Sequence, residues 1–286
     1  MAAPDLDQMW VRLDGQNLPM QQATVPVSDH GFLYGDSVYE TLRSFGGRVF
    51  ELDAHLARLR RSAAGLYLTV PWSDEHLSAE LEALRSALPQ GDHYLRMLVT
   101  RGSGRVGYAF NPDQQPRLVI LGGPIDNFVV RGLSATIVPI RRLARETVSP
   151  ALKTSNLLNL RLAFLQAQQA GFDEAILLNP QGQLTEASTS NFFAVIAGRL
   201  FTPALEAGIL EGITRRVILE LAAELGLAVD EGFLTLEQLP TLDEAFLTST
   251  TRSLAPLACL DDHRMPAPGP VTGRLIEAFR ARAGGL

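Results

Sequence analysis

Apolar residues recur at helical spacing through residues 53–66, where Leu56, Leu59, Ala63 and Leu66 form one stripe and leave Arg58 off it. Residues 73–88 open on Ser73 followed by acidic residues, a helix-start pattern, and run amphipathically to Leu88. Ahead of these helices, residues 10–19 and 39–52 are rich in strand formers, and Gly46-Gly47 marks a hairpin turn in the second stretch. Residues 93–102 and 116–123 are predicted strands joined by a glycine-rich loop.

The pattern changes after residues 122–132, where Gly, Pro and Asn occur without periodicity. Beyond them residues 134–140 predict a strand and residues 156–171 a helix ending at Gly171. Residues 174–179, 190–198 and 199–203 predict consecutive strands, and residues 212–226 an amphipathic helix. Residues 244–260 predict two short strands around a Ser/Thr-rich turn, and residues 271–284 a closing helix. No internal repeat interrupts this order. The expected fold class is α/β (α+β) in two domains: a smaller α/β domain at residues 1–122, a linker at 123–131, and a larger, strand-rich domain at 132–286.

A chain of 286 residues with 46% hydrophobic and 20% charged residues has the composition of a globular protein with a substantial core. A net charge of −6 supplies no basic excess to neutralise phosphates, so nucleic acid is not an expected partner. No apolar run is long enough to span a bilayer, and the first ten residues show no signal-peptide pattern; a cytoplasmic location is expected. One cysteine, Cys259, and five scattered histidines offer no metal-ligand spacing.

Charge changes the picture in one place. Of 25 basic residues only Lys153 is a lysine; the other 24 are arginine. A guanidinium stays protonated near neutral pH, whereas a lysine readily yields the neutral amine that forms an imine. Three other features point to a ligand. Gly212, Ile213 and Thr214 begin a predicted helix, where backbone N–H groups and the helix dipole favour a phosphate, although a threonine there is also an ordinary cap. Ser249, Thr250 and Thr251 give three successive hydroxyls that either satisfy a turn or line an anion site. Glu186 precedes a polar turn and could hold a proton on a heterocycle nitrogen. An amine, phosphate donors and a carboxylate together are what pyridoxal 5′-phosphate (PLP) requires.

The segments "HGFLYGDSVYETLR", "HLARLRRSA", "RGSGRVGY", "LKTSNLLN", "LTEASTSNFF", "LEGITR" and "FLTSTTRSLAPL" occur in the order found in the class IV aminotransferases, the fold-type IV PLP enzymes, which this chain resembles. The resemblance implies that Lys153 is the Schiff-base lysine and that it moves the proton between substrate and cofactor. It implies that Glu186 pairs with the pyridine nitrogen, that Arg58 binds the phosphate, and that Ile213, Thr214 and Thr250 add phosphate donors. A homodimer is implied, with the cofactor in the cleft between domains and the partner's small domain helping to wall the site.

Within that family Tyr39 matches a position lining the substrate side and resembles the D-amino acid aminotransferases. Arg105 and Tyr108 occupy the loop that holds the substrate carboxylate in those enzymes, without their histidine. The implied reaction is transamination between an amino acid, of D- or branched-chain type, and a 2-oxo acid. The alternative is 4-amino-4-deoxychorismate lyase, which releases pyruvate.

Overall fold

A computed structural model describes residues 6–109, 111, 113–125 and 130–284. Among them the chain forms fifteen strands and six α-helices, in two units. Unit 1 is Met1–Asn127 together with Leu152–Asn156; unit 2 is Phe128–Ala151 with Leu157–Leu286. Of the expected linker, residues 123 and 124 end a strand and residues 126–129 lie outside the described residues.

Unit 1 is built on one antiparallel sheet. Its strands are β1 (Trp10–Leu13), β2 (Gln16–Pro19), β3 (Ser37–Phe45), β4 (Arg48–Val49), β5 (His93–Thr100) and β6 (Arg117–Pro124), in the order β2-β1-β6-β5-β3-β4. A short helix, α1 (His30–Tyr34), precedes β3, and the two longer helices α2 (Leu52–Gly65) and α3 (Asp74–Arg85) cover one face. Along β5, His93, Leu95, Met97 and Val99 are buried while the intervening residues are half-buried, the period-2 alternation of a strand with one packed face. Leu56 and Leu59 of α2 and Leu77, Leu81 and Leu84 of α3 pack with Val38, Leu42, Leu95 and Met97. Ser73 caps α3 by accepting from His76 N at 3.2 Å. The helix stops at Arg85 instead of Leu88, because Pro89 disfavours helical backbone at the residue before it.

Unit 2 carries β7 (Leu133–Arg141), β8 (Glu174–Leu178), β9 (Leu184–Ala187), β10 (Asn191–Ile196), β11 (Arg199–Pro203), β12 (Val229–Gly232), β13 (Glu244–Ser249), β14 (Ser253–Leu260) and β15 (His263–Arg264). Strand β9 pairs with β8 and, at Asn191 opposite Glu186, with β10, so the run β10-β13-β14-β7-β8-β9 closes on itself. Alternate residues fill the interior: Leu133, Ala135, Ile176, Leu178, Phe192, Ala194, Ala245, Leu247, Ala255 and Leu257. Four alanines among larger side chains let so small a ring be packed solid. Outside it, α4 (Leu158–Gln169) lays Ala163 and Ala167 on Val138, Ala175 and Leu177. Helices α5 (Ile213–Glu224) and α6 (Pro270–Ala283) pack against β13 and against each other. No helix among the described residues is long and apolar enough to cross a membrane.

Candidate active site

In unit 1 the lysine arrives on the detached segment Leu152–Asn156, which pairs with the outer edge of β3 through a bridge between Val38 and Thr154. Lys153 O accepts from Tyr39 N at 3.1 Å, and Lys153 N donates to Ser62 Oγ of α2 at 3.0 Å. With both backbone groups held, the side chain leaves a rigid base. Its Nζ lies 3.5 Å from Tyr39 Oη and 4.5 Å from the centre of the same ring.

Arg96 places its guanidinium 4.0 Å from that ring centre. The β3–β5 register explains this: Tyr39 stands opposite Leu98 and Thr41 opposite Arg96, so Arg96 is the diagonal neighbour of Tyr39 on the same face. Burial alone would raise the Tyr39 pKa, but the positive charges of Lys153 and Arg96 outweigh it and hold the phenol below its ordinary value.

The other face of β3 carries Glu40 toward α2. Glu40 accepts from Arg58 Nε at 2.8 Å and from Arg58 Nη2 at 2.6 Å, and His55 Nδ1 donates to it at 2.7 Å. Residues 55, 58 and 62 recur at i, i+3 and i+7, so α2 has a buried polar stripe beside its leucine stripe. Arg58, off the apolar stripe in the sequence, is thus buried on this second one. Arg105 and Tyr108 lie elsewhere in unit 1, exposed on the loop after β5. There Arg105 O accepts from His30 Nε2 at 3.1 Å, and the Tyr108 and Tyr34 rings are 5.5 Å apart.

In unit 2 Glu186, expected just ahead of a polar turn, lies within strand β9, and it is buried. Three donors gather on its carboxylate: Arg142 Nη2 at 2.7 Å, Asn191 Nδ2 at 3.0 Å and Leu210 N at 3.2 Å. Asn191 Nδ2 also donates to Leu210 O at 2.8 Å, which ties the strand pair to the segment entering α5. Gly212 is the N-cap of α5, with no side-chain cap, and the buried Ile213 and Thr214 form its first turn. Thr250 sits in the half-exposed turn between β13 and β14. That turn is anchored by Arg252 Nη1 on the fully buried Glu174 at 2.7 Å; Glu174 also accepts from Ser188 Oγ at 2.5 Å.

Glu40, His55, Arg96, Arg142 and Asn191 are among the residues of these networks that escape a reading of the sequence, as are Ser62, Glu174, Ser188 and Arg252. Only Arg96 leaves a usable signal, because strand alternation sets it opposite to Leu95 and Met97.

An amine on a fixed backbone, a carboxylate clamped by three donors and a helix start without a side-chain cap are the donor set that the aldehyde, pyridine nitrogen and phosphate of PLP call for. The residues present fit that group. A family model described as amino-transferase class IV matches residues 37–259. The chain is 38% identical over 276 residues to a protein of Methanocaldococcus jannaschii provisionally named a branched-chain-amino-acid aminotransferase, covering 95% of this chain and 96% of the other. It is 32% identical to the D-alanine aminotransferase of Bacillus licheniformis, covering 95% and 96%. The crystal structure of the branched-chain aminotransferase from Thermoproteus uzoniensis with norvaline superposes with a TM-score of 0.91 at 33% identity, covering 97% and 95%. The chain therefore belongs to the class IV aminotransferases and is a PLP-dependent enzyme of that family.

Proposed function

We propose that this aminotransferase acts on amino acids of branched-chain or D-type, with Lys153 as the reactive amine. The observation that carries the assignment is the Lys153 Nζ held at 3.5 Å from Tyr39 Oη on a segment whose backbone is bonded on both sides. PLP, when bound, supplies an electron sink that stabilises negative charge on the substrate Cα. With the cofactor bound, Lys153 Nζ would take the proton from the substrate Cα and deliver it to the cofactor carbon C4′, the net shift that transamination requires, and Tyr39 orients the amine. Glu186, oriented by Arg142, Asn191 and Leu210 N, holds the proton on the pyridine nitrogen. Arg58, the first turn of α5 with Ile213 and Thr214, and the Thr250 hydroxyl bind the phosphate. Arg96 draws the substrate carboxylate toward the Tyr39 face.

We further assign a cytoplasmic homodimer. Val27, Phe32, Val106 and Tyr108 are 76%, 69%, 81% and 95% exposed, an apolar surface suited to a second copy. On this reading Arg105 and Tyr108 serve the partner's site. The two domains expected at residues 1–122 and 132–286 are assigned small and large roles, a reading supported by the division into two units, with Leu152–Asn156 falling in unit 1. Relatives named as aminotransferases favour transamination over the lyase reaction.

Borohydride reduction of the holoenzyme followed by peptide mapping tests the assignment: a pyridoxyl label on Lys153 is expected, and its absence overturns the proposal. A panel of D- and L-amino acids, followed by the absorbance change from the aldehyde to the amine form of the cofactor, identifies the substrate class. No conversion with any branched-chain or D-amino acid would refute the substrate proposal. Sedimentation velocity reads the assembly.

A further inference from the structure

Glu40, His55 and Arg58 are 1%, 1% and 4% exposed, which is unusual company for the core side of a helix. Packing does not explain them. A buried ion pair is often no more stabilising than apolar side chains of the same volume, so its presence points to a task other than stability. The geometry is a fork: Glu40 Oε1 takes Arg58 Nε and Oε2 takes Nη2, which stops the guanidinium turning about its Cδ–Nε bond. His55 Nδ1 donates to the same Oε2 and fixes the carboxylate in turn.

The charges are also matched. Although burial opposes it, Arg58 and His55 bring the Glu40 pKa down to about 2, so the carboxylate is ionised at neutral pH. Burial pushes the His55 pKa below its ordinary value despite Glu40, so the imidazole is neutral. The trio holds one negative and one positive charge.

We propose that Glu40 and His55 are positioning residues for the cofactor phosphate, which present the Arg58 guanidinium in one fixed plane as an oriented donor rather than as a loose cation. The proposal rests on the assignment of Arg58 as a phosphate ligand. Its test compares PLP with pyridoxal, which lacks the phosphate. Dissociation constants of both are measured by fluorescence titration of the full chain freed of cofactor, so no turnover enters the readout.

In Glu40→Gln the amide NH2 replaces one fork oxygen and opposes an Arg58 N–H. PLP binding is expected to weaken about tenfold, the loss of one hydrogen bond to a charged group, while pyridoxal binding stays within about twofold. His55→Leu is expected to weaken PLP about threefold by the same route, and His55→Asn, which restores a donor, to recover it. The His55 pair decides the matter if Glu40→Gln fails to fold. Arg58→Gln separates the two levels of the proposal. If it leaves the preference for PLP over pyridoxal intact, Arg58 is not the phosphate ligand, and the positioning role falls with it. If it abolishes the preference while Glu40→Gln and His55→Leu keep or increase it, Arg58 stands and the positioning role is overturned. An equal loss of both ligands in Glu40→Gln also overturns it, as the mark of a merely structural residue.

Discussion

Replacing Gly212 with alanine tests whether the carboxylate of Glu186 and the start of α5 are mechanically one site. Gly212 has φ −72° and ψ 137°, backbone that any residue adopts, so conformation does not require glycine there. Space does. A Cβ at this position would overlap Asn191 Oδ1, and would lie 3.1 Å from Asn191 Cγ and 3.3 Å from Arg215 Cβ. Asn191 cannot swing aside without giving up its bonds to Glu186 at 3.0 Å and Leu210 O at 2.8 Å. Overpacking of this kind costs about 1–3 kcal/mol, and alanine is a poorer N-cap than glycine by roughly 1 kcal/mol. The smaller unfolded-state entropy of alanine returns about 0.4–1 kcal/mol, which leaves a net destabilisation of about 1–3.5 kcal/mol. Urea unfolding of the wild type, Gly212→Ala, Asn191→Ala and the double variant measures it. In the Asn191→Ala background the obstructing oxygen is gone, and Gly212→Ala should cost at most about 0.5 kcal/mol, the capping difference less the same entropic return. Equal costs in the two backgrounds, or a Gly212→Ala protein as stable as wild type, would refute the coupling.

Stability is expected to fall with pH in two stages. His55, whose folded pKa lies below its unfolded 6.5, contributes fully above 6.5 and loses that contribution as pH falls toward its folded value. Glu40, whose pKa drops from 4.5 to about 2, contributes above 4.5 and loses the contribution as pH falls to 2, about 3 kcal/mol in all. Urea midpoints between pH 7.5 and 3 should therefore decline less in His55→Asn than in wild type over the upper part of that range; parallel curves would count against a neutral buried imidazole. Lys153→Arg keeps a cation beside Tyr39 but has no amine to exchange, so it should take no borohydride-stable label and lose at least on the order of 10²-fold in turnover. Arg142→Met leaves the Glu186 carboxylate buried without its ion-pair partner and should cost about 3–5 kcal/mol; a loss under about 1 kcal/mol in thermal or urea unfolding would show that its other donors suffice.

Much of the fold is legible as periodicity, and the lysine as chemistry. Helices α2 and α5 and strand β5 show their burial pattern in the order of their residues. Strand β9 does not, because all four residues of "LTEA" are buried and no polar face alternates with an apolar one. Glu186 therefore reads as a solvated residue near a turn. Strand β3 hides Glu40 for the same reason: eight of its nine positions are buried, on both faces. His55 and Arg58 look like the solvated edge of an amphipathic helix until the tertiary fold brings a carboxylate to them. Arg142 and Asn191 depend wholly on which strands neighbour β9, a long-range fact that no local pattern contains.

The five residues Leu152–Asn156 have a further consequence for how this chain comes to be folded. The outer edge of β3 is paired at one end by β4 and at the other by this segment, and Leu152 lies where any side chain at Gly65 would have to go, 2.6 Å from the missing Cβ. During synthesis the whole sheet of unit 1 is made before residue 152 exists, so a nascent chain ending at residue 127 carries an open strand edge and an unfilled groove beside α2. The late arrival of one short segment closes both, and the same segment brings the amine. Completion of unit 1 and acquisition of its reactive group are one event, so a chain interrupted between residues 127 and 152 should be at once chemically inert and prone to pair with other strands.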